Sequence, residues 1–102
     1  MDIVRGTTPT IKYTFSTIAG TDITAAYLTF TQSGVVVVEK DLSDATTGSN
    51  FILWTLTQAE TLLLRPCVPV RIMLNWKTTD GTRGIGKTIN ATVKNNDKGT
   101  VI

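Results

Sequence analysis

Between 68 and 77 the chain alternates, with Val68, Val70, Ile72, Leu74 and Trp76 in one phase and Arg71, Asn75 and Lys77 in the other. A side-chain period of two places the first set on one face of a β-strand and the second on the opposite face. The same grammar recurs from end to end, which makes this a half-buried antiparallel β protein. Over 9–15 the inward set is Ile11, Tyr13 and Phe15. Over 24–31 it is Ala26, Leu28 and Phe30, with Ala25, Tyr27 and Thr29 facing out. Over 51–57 it is Ile52, Trp54 and Leu56.

The joints between these runs carry turn chemistry. Ala19-Gly20-Thr21-Asp22 turns the chain, and Gln32-Ser33-Gly34 leads tightly into a strand over 35–40, as in a hairpin. Four consecutive valines leave the phase of that strand open. One helical signal interrupts the β pattern: Thr57 as N-cap and Glu60 three residues on form a capping box ahead of Leu62, Leu63 and Leu64, and Pro66 and Pro69 end it. Thr79-Asp80-Gly81 turns the long strand into a last one over 83–94. Along it Ile85, Ile89, Ala91 and Val93 share a phase, and Gly84 and Gly86 signal a bulge or a close backbone approach.

Six to seven strands with short turns and one short helical turn suit an all-β fold, an antiparallel two-sheet immunoglobulin-like β-sandwich, with a small barrel as the next choice. The 102 residues make one domain over 1–94 and a polar tail over 95–102. A hydrophobic content of 41% against 18% charged residues is that of a folded chain, not of a disordered tail. The acid-bearing start 1–6 has no apolar stretch of the secretory kind, and no run approaches the roughly 20 apolar residues of a membrane span. We therefore expect synthesis and folding in a cytoplasm and no membrane partner.

Chemistry is tested by subtraction. Histidine is absent, which removes Ser-His and Cys-His nucleophile pairs and the commonest metal ligand. Lone Cys67, between Pro66 and Val68, reads as a small buried apolar residue, and a zinc site would have to be built from it and carboxylates alone. The aspartates stand where turns are expected, and Gly84-Ile85-Gly86-Lys87-Thr88 lacks the spacing of a phosphate loop. A net charge of +2 spread along the chain carries no nucleic-acid arm. No catalytic residue, metal ligand or cofactor site is expected, and the reading is that of a non-enzymatic protein.

The aromatic residues offer either a core or a stacking platform. Trp54, Trp76, Phe15 and Phe30 fall in inward phases, whereas Tyr27 is out of phase and available. Phe51, Leu53 and Met73 are apolar residues in outward phases, more comfortable in an interface than in water, with cover from the helical turn as the alternative. Tyr27, Phe51, Leu53 and Met73 are thus the candidate assembly interface.

One resemblance rests on the order of these features. An opening Arg5-Gly6-Thr7-Thr8-Pro9 precedes a strand, then come Trp54-Thr55-Leu56-Thr57-Gln58-Ala59-Glu60, a long strand over 70–77 and a closing Asp80-Gly81. This layout resembles the small β-sandwich proteins of bacteriophage and prophage structural modules, and is similar to the N-terminal domain of phage baseplate upper proteins. The resemblance implies a virion component of tail, baseplate or head, made in the bacterial host cytoplasm, whose partners are copies of itself and other virion structural proteins. The alternative is a carbohydrate-binding β-sandwich module.

Overall fold

A computed structural model of the chain describes residues 1–16 and 19–95. Its strands are β1 (Asp2–Val4), β2 (Thr10–Thr14), β3 (Ile23–Gln32), β4 (Val35–Asp41), β5 (Thr46–Thr47), β6 (Phe51–Thr55), β7 (Val70–Thr78), β8 (Arg83–Ile85) and β9 (Ile89–Lys94). Among the described residues the one α-helix is α1 (Gln58–Leu63), and 3-10 turns stand at Gly20–Asp22 and Leu42–Asp44. β1, β9, β7, β3 and β4 lie in that order in one sheet, with β8 also on β7; β2, β6 and β5 form the second.

The phases decide the packing. Ile11, Tyr13, Ile52, Trp54 and Leu56 from the smaller sheet and its exit meet Ile3, Ala26, Leu28, Phe30, Val70, Ile72, Leu74, Ala91 and Val93 from the larger one in a single buried cluster. The chain is therefore an all-β sandwich, its two inner faces interdigitating as such faces do. Trp54 is fully buried, and its indole Nε1 donates to the Asp41 carbonyl at 2.8 Å, which satisfies the one polar atom that burial would otherwise orphan.

The valine run resolves through a bulge. Phe30 pairs with Val38 but Thr31 pairs with Val36, so Val37 is the extra residue. Val38 then faces the core and Val35 and Val36 stand exposed, which no constant phase would allow. The hairpin turn itself has Ser33 at φ 52° and Gly34 at φ 79°, the left-handed pair that a two-residue turn between twisted strands requires.

The helix forms where the capping box predicts. Glu60 N–H donates to Thr57 Oγ1 at 3.1 Å and Thr57 N–H donates to Glu60 Oε1 at 2.8 Å. The segment that opens the chain is clasped onto it. Gly6 N–H donates to Thr61 Oγ1 at 3.0 Å, Thr61 Oγ1 donates to the Thr7 carbonyl at 2.9 Å, and an Arg5 guanidinium nitrogen donates to the Leu62 carbonyl at 2.9 Å. Arg5-Gly6-Thr7 is thus a latch that holds the crossing from β1 to β2 against α1, and Thr61, a polar residue with no exposure, is its centre.

Several expectations change. The strands number nine among the described residues, because β1, β5 and β8 are too short to show a period in sequence. The larger sheet is not wholly antiparallel: β1 runs parallel to β9, with Ile3 opposite Val93. The run over 83–94 is two strands, β8 opposite 75–77 and β9 opposite 70–72, joined across a break where Gly86 N–H donates to the Leu74 carbonyl at 2.8 Å. The break resets the phase, so Ile85 is exposed instead of sharing the core with Ala91 and Val93. Cys67 is exposed as well, at φ 63° in the turn after α1, with its N–H bonded to the Val93 carbonyl. Val68 precedes β7 and is half-buried, as is Trp76, whose ring meets Phe15 edge-on at 6.0 Å. Of the expected tail over 95–102, all but Asn95 lies outside the described residues.

Candidate assembly face

The outer face of the larger sheet is read from its registers. Residues directly opposite in antiparallel strands share a face, so Asp41, Tyr27, Asn75 and Ile85 form one row across β4, β3, β7 and β8. Glu39, Thr29 and Met73 form the next row on one side, and Ala25, Lys77 and Arg83 the row on the other. Thr31 and Arg71 lie beyond Thr29 and Met73.

Tyr27 stands at the centre, 51% exposed. It is a ridge between two shallow depressions. One, of about 210 Å³, is lined by Ala25, Tyr27, Asn75, Trp76, Lys77 and Arg83. The other, of about 230 Å³, lies toward β4 against Tyr27, Asp41, Leu42 and Ser43. Ile85, 65% exposed, adds an aliphatic group two strands from Tyr27.

Charge divides this face. Glu39 and Asp41 lie on β4, whereas Arg71, Lys77 and Arg83 lie on β7 and β8. Lys77 and Arg83 are directly opposite each other, a like-charge pair that is unfavourable unless a counter-charge is supplied. Among the described residues the ion pairs are Lys40 with Glu60 and Lys94 with Asp2, and neither engages these three cations. Asp41 is held ionised: the Ser43 hydroxyl and backbone N–H both donate to its carboxylate and draw its pKa below the ordinary value.

The four candidate residues do not form one patch. Tyr27 and Met73 are on this face. Phe51 and Leu53 lie on the outer face of the smaller sheet, opposite Thr14 and Lys12, on the far side of the sandwich. There Phe51 is half-buried under its own neighbours, with the Lys12 ammonium 4.6 Å from the ring centroid and Gly48 packed so closely that a Cβ would strike the ring. Leu53 is half-buried between Lys12 and Thr46. Exposed Ile85, Val35 and Val36 were not among the candidates. Ile85 was hidden by the broken strand, whose signal is Gly86, and the valines by the bulge.

No protein-family model and no curated protein matches the chain. Among the described residues, no three His, Cys, Asp or Glu side chains gather as a metal site, and no helix is long and apolar enough to cross a membrane.

Proposed function

We propose that this protein is a non-enzymatic structural subunit that works by protein–protein assembly, in a bacteriophage or prophage particle. The observation that carries the assembly reading is the outer face of the larger sheet. It presents an exposed tyrosine and isoleucine among exposed charges of both signs on a β-sheet, and tyrosine and arginine are among the residue types over-represented in interface hot spots. The placement in a virion rests on the resemblance in layout of 5–9, 54–60, 70–77 and 80–81. Particles purified from induced cells that carry this sequence test it: the chain present in fixed ratio to the major structural proteins supports the reading, and its absence from every particle fraction removes it.

A carbohydrate-binding reading has one observation in its favour, the depression that places Tyr27 beside Asn75, Lys77 and Arg83, an aromatic ring flanked by polar donors. Screening the protein against immobilised glycans, with Tyr27→Ala as control, tests it. Binding that the substitution abolishes supports a sugar platform, and no binding removes it.

A further inference from the structure

The division of charge across the Tyr27 face has a geometrical consequence. We propose that a second copy of this chain covers the face, the two copies stacked sheet on sheet about a two-fold axis that runs along the strands. The proposal rests on the assembly reading and names the partner and the surface.

A two-fold contact brings the same surface of both subunits together, so a surface can serve only if it is complementary to itself. With the axis along the strands, β4 of one copy lies over β8 of the other and β3 lies over β7. Glu39 and Asp41 of each copy then approach Arg71, Lys77 and Arg83 of the other, twice. Tyr27 of one copy meets Asn75 of the other near the midline, with Met73 one row away. An axis across the strands would instead stack β4 on β4 and β7 on β7, acid on acid and cation on cation. The charge pattern therefore favours the axis along the strands over the axis across them. It also supplies the counter-charge that the opposed Lys77 and Arg83 lack among the described residues of one copy.

The size of the face is compatible. β7 spans nine residues. The other strands of the face, β3, β4 and β8, span 10, 7 and 3 residues, and at about 3.4 Å per residue and about 4.8 Å between strands the face measures on the order of 500 Å² per copy. A standard interface buries about 800 Å² per partner, so exposed side chains standing off the sheet bring the contact into range. Tyr27 and Ile85, the most exposed apolar groups of the row, add apolar area to the covered face.

The test is charge reversal with complementation, read as mass by light scattering and sedimentation over a wide concentration range. One variant carries Lys77→Glu with Arg83→Glu and the other Glu39→Lys with Asp41→Lys; circular dichroism checks their folding, and Glu39→Lys alone replaces the second if losing the Asp41–Ser43 hydrogen bonds unfolds it. Wild type is expected to dimerise, more weakly at high salt, and each variant alone to dissociate at least about tenfold more readily. An equimolar mixture of the two variants should recover the dimer, because in the mixed pair every acid strip again faces a cation strip. Wild type that self-associates with variants unchanged in mass overturns this face while leaving assembly itself standing. A wild type that stays monomeric overturns the two-fold contact, and the particle experiment then decides the assembly reading separately. Loss in both variants without recovery in the mixture overturns the two-fold geometry.

Discussion

The Lys40 ammonium on β4 lies 2.8 Å from Glu60 Oε1 on α1, and that same oxygen accepts the Thr57 N–H that caps the helix. The lysine is 7% exposed and the glutamate 22%, so one ion pair ties the edge of the larger sheet to the helix that leaves the smaller one. Desolvation raises the Glu60 pKa, but the hydrogen bonds from Lys40 and Thr57 and the lysine's charge together outweigh it and leave the pKa below its ordinary value.

The two partners are not equivalent under mutation. Glu60→Gln keeps an acceptor oxygen for Lys40 and Thr57 but removes the counter-charge of a buried ammonium, and we expect a loss of about 2–3 kcal/mol in denaturant unfolding. Lys40→Met leaves a carboxylate that is more exposed and still bonded to Thr57, and should cost about 1 kcal/mol or less. Equal losses in the two variants would contradict this asymmetry.

Gln32 holds the turn that follows the helix. Its amide nitrogen donates to the carbonyls of Arg65 and Val68, both at 2.9 Å, and its oxygen accepts the Arg65 N–H at 2.8 Å, with the side chain fully buried. Gln32→Leu keeps the volume and orphans those backbone groups, so it should destabilise by about 2–4 kcal/mol on urea titration. The sequence placed Gln32 in a turn, although its phase is that of Leu28 and Phe30. Only the arrival of 65–68 at the end of β3 gives an inward glutamine its partners.

Asp80 closes the turn between β7 and β8 by accepting from the Thr78 hydroxyl and the Thr82 N–H, and these bonds hold its pKa at about 2 against 3.8 for the free group. A depressed folded pKa contributes stability that is present above the unfolded value and lost as pH falls through the folded one. Melting temperature should therefore decline between about pH 4 and pH 2, and Asp80→Asn should flatten part of that decline. An unchanged pH profile in the variant would remove Asp80 from the account.

Gly84 faces the ring of Trp76 so closely that a Cβ would overlap it, whereas Gly86 leaves 3.0 Å to Tyr13 Cε1. Gly84→Ala should cost about 1–3 kcal/mol through displacement of the Trp76–Phe15 contact, with a change in tryptophan emission. Gly86→Ala should cost less, since its nearest neighbours need to yield only by a few tenths of an ångström.

Cys67 is exposed and left-handed. A thiol reagent should label it in the native protein without denaturant, and Cys67→Gly should stabilise by about 0.5–1 kcal/mol because glycine adopts that φ freely. Slow labelling limited by unfolding would show a buried thiol instead.

What the sequence determined by itself was local: the inward phases of β2, β3, β6 and β7, the Thr57–Glu60 capping box and the Ser33-Gly34 turn. Each depends on residues a few positions apart, where a period of two or a cap spacing speaks directly. The tertiary structure decided what depends on distant partners. The bulge at Val37 is a mismatch with β3, and the exposure of Ile85 follows from a break in pairing to β7. Lys40 is buried because Glu60 arrives beside it. The candidate residues Tyr27, Met73, Phe51 and Leu53 share an outward phase, yet phase only says that a side chain points away from the core. Which of the two sheets carries it, and therefore which of two opposite surfaces it joins, is a matter of strand order. That order sets Tyr27 between an acidic and a basic strip and leaves Phe51 on the other side of the molecule.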